Sequence, residues 1–253
     1  AVYLLEGGAV WADSPGAVAR QVETLFTMLA HPDAVVEMAL GADGFLDHLR
    51  QGTLWVDCST VDPSFSRRMA QEARTRQIRF LDAPVAGTKG PAAQGTLMFS
   101  VGGDEADVRA CQGFFDAMGR RTVHVGGHGM GSSLKMVLNL LLAEAMAAFS
   151  EAAALGQSLG IERAALFDIL IGGPVVAPFV AAKVEKIVSG DYEADFPLKW
   201  THKDLHLAAM TAFEQDVPLP IGNAVKETYA LAAREGLAEQ DFSAVYRLLN
   251  DGR

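Results

Sequence analysis

Midway along the chain, at Gly126-Gly127-His128-Gly129-Met130-Gly131, the texture of the sequence changes, and that change limits the fold more than any other feature. Before it, short apolar runs alternate with amphipathic stretches. Thr24 to Leu29, Gly52 to Asp57, Ile78 to Asp82, Thr96 to Val101 and Thr122 to Val125 read as strands or strand-like runs. Ser14 to Gln21, Asp33 to Leu40, Ser64 to Arg76 and Asp104 to Met118 carry helical periodicity. This alternation predicts an α/β layer with a mostly parallel sheet. After the glycines the chain is almost entirely helix former. Ser132 to Leu159 reads as one helix ended by Gly160, about 40 Å long. Glu162 to Ile171, Pro178 to Val188, Leu198 to Gln215, Gly222 to Glu235 and Phe242 to Leu249 follow as further helices. The expected organisation is an α/β domain over residues 1–128 and an all-helical domain over 129–253, with the long helix as the connection.

Composition narrows the function classes. Of 253 residues 50% are hydrophobic and 21% charged, which describes a globular chain rather than a disordered or fibrous one. Cys58 and Cys111 are the two cysteines, too few to staple a fold of this size, so a reducing, cytoplasmic setting is expected. A net charge of -10 disfavours nucleic acid as a partner while leaving room for a local basic pocket around a small anion. No signal peptide is read. The most apolar stretch, Met136 to Phe149, is interrupted by Asn139 and Glu144, and reads as a buried helix rather than a membrane span. The histidines lack metal-ligand spacing, so no metal is expected. The absence of a Gly-x-Ser-x-Gly elbow and of a Walker sequence demotes hydrolase and ATPase chemistry.

Four segments hold candidate chemistry. Asp57-Cys58-Ser59-Thr60 closes a buried strand, where α/β sheets bind ligands, although it would also suit an ordinary capping turn. Asp82-Ala83-Pro84-Val85-Ala86-Gly87-Thr88-Lys89-Gly90-Pro91 also follows a strand. Its small residues let a ligand approach backbone N–H groups able to hold a carboxylate, and a punctuated surface loop is the plain alternative. Lys135 and Asn139 stand one helical step of four apart in an otherwise oily stretch. A lysine there either snorkels to solvent or is held in a low-dielectric setting suited to proton transfer. Phe196-Pro197-Leu198-Lys199-Trp200-Thr201-His202-Lys203-Asp204-Leu205 repeats the same spacing with Lys199 and Lys203, and reads equally as a solvated helix face.

In this order and spacing the four segments resemble the β-hydroxyacid dehydrogenase family. The resemblance is nearest to its glyoxylate/succinic semialdehyde reductase branch, through APVAGTKGPAAQGTL, KMVLNLLLAEAMAAFSEAAALG, FPLKWTHKDLHLA and DFSAVYRLL. It covers essentially the whole chain. It implies a Rossmann-type dinucleotide-binding domain, a long interdomain helix, and an all-α domain for substrate closure and oligomerisation. It implies NADP or NAD as cofactor, with the branch leaning to NADP, a small carboxylate substrate, and a homodimer or homotetramer. By position, Lys135 matches the family's catalytic lysine and Asn139 its companion. Leu29, Ala30, Thr60 and Lys203 match cofactor contacts. Ala86, Gly87 and Thr88 match the substrate-carboxylate loop, and Phe196 and Asp204 residues that close the pocket.

Two departures stand out. Ala86 replaces a serine usual in the family, removing one hydroxyl that would reach the substrate. The family's opening strand, Gly-x-Gly-x-x-Gly and helix are not seen; the chain begins AVYLLEGGAV, matching the family well inside its first domain, so the N-terminal βαβ is expected to be missing from the sequence. The function implied is hydride transfer between nicotinamide and a β-hydroxy acid or semialdehyde, with Lys135 as general acid/base. The alternatives are a non-catalytic dehydrogenase-fold interaction module and an imine reductase-like enzyme. Lys135 argues against both, because the module's chromatin-associated relative lacks the lysine and imine reductases usually carry Asp or Tyr there.

Overall fold

The computed structural model describes residues 2–250. These fall into two compact units, divided within the long helix after Lys135, with residues 88–90 grouped with the second. The first contains helices α1 (Val2–Glu6) and α2 (Pro15–Ala19), strand β1 (Thr24–Thr27), α3 (Pro32–Leu40), β2 (Leu54–Asp57), α4 (Pro63–Thr75) and β3 (Arg79–Asp82). It continues with β4 (Val85–Ala86), α5 (Lys89–Ala93), β5 (Leu97–Gly103), α6 (Glu105–Met118) and β6 (Gly119–Gly126). Helices α2, α3 and α4 each open with a proline in the first turn, behind a capping side chain. Ser14, His31 and Asp62 accept from the backbone N–H three residues on.

The sheet runs β1-β2-β3-β5-β4, with β6 beside β5. The pairs β1/β2, β2/β3 and β5/β6 are parallel; β3/β5 and β4/β5 are antiparallel. Parallel pairing arises where a helix carries the chain back, α4 between β2 and β3 and α6 between β5 and β6. Between β3 and β5 lie only β4 and the short α5, too little for a crossover, so β5 returns antiparallel. The expected α/β layer is therefore a mixed sheet.

Alternation along β2 feeds two cores. Trp55 faces α4 and its neighbours, wedged edge-on between Phe45 and Phe80 at centroid distances of 5.0 and 4.8 Å, with Phe65, Met69 and Ala73 around them. Leu54 and Val56 face the other way, with Leu81, Phe99 and Val101, against Val108, Cys111 and Phe115 of α6.

The second unit is helical. Helix α7 (Met130–Ser158) is continuous through the division of the units, with Lys135 as the last residue of the first. Then come α8 (Arg163–Gly172), α9 (Pro178–Ser189), α10 (Leu198–Glu214), α11 (Pro220–Ala232) and α12 (Val245–Asn250). A π-type turn over Ala233–Leu237 ends α11, where Gly236 adopts φ 83°. By length and composition α7 could cross a membrane. Here its Ala143, Met146, Phe149 and Ala153 instead build the core of the second unit with Phe167, Leu198, Tyr229, Phe242 and Tyr246.

The start of α7 lies main chain against main chain on the sheet. A Cβ on Gly131 would fall 2.4 Å from the carbonyl oxygens of both Asp82 and Ser100. Gly131→Ala is expected to lower stability by roughly 1–3 kcal/mol, the usual cost of overpacking, read as a drop in the urea midpoint at unchanged m-value.

Candidate functional site

The carboxyl ends of the parallel strands β1, β2 and β3 form a polar row. Thr27, Asp57 and Asp82 are register partners across them, and Gly102 of the antiparallel β5 stands beside Asp82. Trp55 Nε1 donates to Thr27 Oγ1 at 2.8 Å, and Thr27 donates to Asp57 Oδ1 at 2.9 Å. The backbone N–H of Ser59 also donates to Asp57 Oδ1, while Ser59 Oγ accepts from Leu29 N at 2.9 Å. The loop after β1, with Leu29 and Ala30, is thereby latched to the loop after β2, with Ser59 and Thr60. Burial pushes the Asp57 carboxyl upward, opposed by the hydrogen bonds from Ser59 and Thr27. Burial also drives the Cys58 thiol well up, with Asp57 and Cys111 adding to it, so no thiolate nucleophile stands at this edge.

Asp82 has a different task. Its Oδ1 accepts from Gly129 N at 2.7 Å and its Oδ2 from Ser132 N at 2.9 Å. Ser66 Oγ and Ser132 Oγ share a hydrogen bond of 2.8 Å, and His128 Nε2 lies 3.0 Å from the carbonyl of Phe80. These contacts fix the entry of α7 on β3 and α4, and Lys135 follows one turn later, half-buried. Desolvation raises the Asp82 carboxyl, and the two N–H donors oppose it.

In the second unit, α7 presents buried Asn139 to buried Asp204 of α10. Asn139 Nδ2 donates to Asp204 Oδ2 at 2.6 Å, and Lys203 Nζ lies 2.9 Å from Asp204 Oδ1. The entry of α10 is held from below by Asp241, which is fully buried. Its carboxylate accepts from Lys183 Nζ at 2.9 Å, from the backbone N–H of Asp195 and Phe196, and from the N–H and hydroxyl of Ser243. Phe242 N donates to the Phe196 carbonyl at 2.9 Å and the two rings meet edge-on.

The structure thus joins Leu29 and Ala30 to the Thr60 segment, and Asn139 to Lys203 and Asp204. Lys135 shares α7 with Asn139, one turn earlier. Ala86 pairs with Met98 in the β4/β5 ladder. Gly87 follows at φ 127°, where a Cβ would meet Leu97 and Pro91, and Thr88 is half-buried beyond it. Among the described residues no cluster of His, Cys, Asp or Glu could hold a metal. Two organising carboxylates, Asp82 and Asp241, were not singled out by sequence reasoning. Each sits in a recognisable segment, but its partners lie 47 and 50 residues away for Asp82 and up to 58 for Asp241.

Comparison with known proteins agrees with this architecture. Residues 2–127 match the NAD binding domain of 6-phosphogluconate dehydrogenase, and residues 129–249 the NAD-binding domain of NADP-dependent 3-hydroxyisobutyrate dehydrogenase. The chain is 34% identical to the chloroplastic glyoxylate/succinic semialdehyde reductase 2 of Arabidopsis thaliana, over 96% of this chain and 68% of that protein. It is 35% identical to the NAD-dependent L-serine dehydrogenase of Pseudomonas aeruginosa, over 98% and 85%. The crystal structure of a 3-hydroxyisobutyrate dehydrogenase from Salmonella typhimurium superposes with a TM-score of 0.88 at 26% identity, over 98% of this chain and 87% of that one.

Asp57 carries the test of the polar row. Its folded-state pKa lies above the unfolded value, so its contribution to stability is present below the unfolded pKa and lost as pH rises through the folded one. Asp57→Asn keeps an oxygen for Thr27 and Ser59 and removes the titration. Thermal unfolding of this variant between about pH 4 and pH 8 is expected to show a flatter profile than the parent, and a parallel profile would contradict the assignment.

Proposed function

The chain belongs to the β-hydroxyacid dehydrogenase family, with 3-hydroxyisobutyrate dehydrogenases and glyoxylate/succinic semialdehyde reductases among its relatives, and from that premise we propose that it is an NAD(P)-dependent oxidoreductase of small hydroxy acids or semialdehydes. The observation that carries the reading is the pairing on α7 of Lys135 with Asn139, whose amide is oriented by Asp204.

The carboxyl edge of β1–β3 fits a dinucleotide. The loops after β1 and β2 are held by hydrogen bonds to Ser59 Oγ and Asp57 Oδ1, leaving Ala30 exposed and Thr60 half-buried at the strand ends, where α/β sheets bind such cofactors. Leu29, Ala30, Thr60 and Lys203 are the residues that would hold it. Bound nicotinamide supplies or accepts the hydride. Lys135 gives a proton to the substrate oxygen during reduction and recovers it during oxidation. Asn139, its Nδ2 committed to Asp204, directs its remaining amide oxygen and orients substrate and lysine. Backbone groups of Ala86, Gly87 and Thr88 receive the substrate carboxylate; the positive φ of Gly87 turns that backbone as few other residues could. By the family resemblance, Phe196 and Asp204 of the second unit would close over the substrate.

The remaining features of the reading are a cytoplasmic protein, without nucleic-acid or membrane partners, that assembles into a homodimer or homotetramer. The net charge of -10 and two buried free cysteines support the first part. Exposed apolar side chains of the second unit, among them Val137, Leu141, Phe213 and Ile221, support assembly.

A panel of short semialdehydes and hydroxy acids, offered with NADPH or NADH and the oxidised forms, identifies substrate and cofactor. On the best pair, Lys135→Met is expected to lower kcat by about 10²–10⁴-fold, the usual worth of a positioned proton donor. Cofactor affinity by fluorescence titration stays unchanged, and near-normal turnover by this variant would end the assignment.

A further inference from the structure

A helix normally opens with a capping side chain at the residue before its first turn, accepting the N–H of the second or third helical residue. Helix α7 has Gly129 in that place, with no side chain to offer, and a backbone φ of 87°. The cap comes instead from β3. Asp82 Oδ2 accepts the Ser132 N–H, which an N-cap side chain would ordinarily take, and Oδ1 accepts the N–H of Gly129 itself.

The surroundings are cut to this arrangement. Asp82 is 1% exposed, and its register partner Gly102 has no side chain where a Cβ would fall 2.6 Å from Oδ1. Gly131, in the first turn, could carry no Cβ without meeting the Asp82 carbonyl at 2.4 Å. The carboxylate therefore has one place to sit and the helix one way to approach it. Lys135 lies three residues beyond Ser132, about 4.5 Å along the axis. Whatever sets the height and rotation of Ser132 also sets those of Lys135.

We infer that Asp82 is a positioning residue of the reaction, capping α7 from a neighbouring strand so as to hold Lys135 at the height and rotation that proton transfer needs. The inference rests on Lys135 as proton donor. Asp82 touches neither substrate nor cofactor and acts through the helix. A displacement of about 1 Å in a reacting group can cost up to 10²-fold in rate, so a rigid seat matters even at a distance.

Asp82→Asn replaces one of the two acceptor oxygens by an amide that cannot accept, and Asp82→Ser shortens the reach while keeping a residue suited to capping. Both variants, with Lys135→Met beside them, are to be compared with the parent for kcat, cofactor dissociation constant, active-site concentration and the solvent deuterium isotope effect on kcat. The expected result for the Asp82 variants is a fall in kcat per active site of about 10–100-fold, with cofactor binding retained and the solvent isotope effect raised, because a misplaced lysine makes proton transfer more rate-limiting. Parental kcat and isotope effect would overturn the inference. So would a fall in activity matched by lost active sites at an unchanged isotope effect, which marks a purely structural role. Normal turnover by Lys135→Met would bring down the proton-donor reading and this inference together; an inactive Lys135→Met beside unaffected Asp82 variants would bring down this inference alone. Should neither Asp82 variant fold, Gly102→Ala takes the same readouts. Its Cβ would fall 2.6 Å from Asp82 Oδ1 and so pushes the carboxylate off its place at the cap, and a raised isotope effect supports the inference while parental values oppose it.

Discussion

The entry of the long helix hangs from a buried contact between one carboxylate and two backbone N–H groups. A charge taken out of water is costly unless it is hydrogen-bonded. Asp82 meets that condition with donors that also need a partner, since the first N–H groups of any helix lack one inside it. The helix dipole adds to the match by placing positive potential at the same point. Asp57, its register partner, lies in the same polar row but spends its hydrogen bonds on side chains and a loop N–H, tying strand ends together. One row thus performs two tasks, closing the edge of the sheet and launching the long helix.

The second unit repeats the device with a different counter-charge. Asp241 gathers the ammonium of Lys183, two N–H groups from the turn before α10, and both donors of Ser243. An ion pair of this kind gives little net stability compared with well-packed apolar residues, yet breaking it leaves a bare buried charge. Its effect is therefore on geometry. Phe196 and the start of α10, with Lys203 and Asp204 further along, are held relative to the 240–245 segment by several directional bonds, and not by packing alone.

The sequence showed most of the elements because their periodicities are local. The amphipathic α4 and α6, the apolar β2 and the long α7 were legible from side-chain spacing, and Lys135 and Asn139 stood out as polar residues in an oily helix. What stayed hidden depends on distant pairing. The reversal of β5 against β3 follows from how little chain separates them, and Val85–Ala86, two residues long, carries no alternation to detect. Asp82 reads as part of a small-residue loop until Gly129 and Ser132 are brought beside it. Gly102, Gly129 and Gly131 look like turn residues in the sequence; Gly102 and Gly131 are spaces left for a carboxylate and a carbonyl.

Helix α7 has one further consequence. Its first turn is sealed into the first unit by Asp82, Ser66 and the close approach of Gly131, while Met146, Phe149 and Ala153 are core residues of the second. Each unit thus draws on a different length of the same helix. A substitution in the first turn therefore strains the sheet of the first unit, whereas one among Met146, Phe149 and Ala153 loosens the helical core of the second.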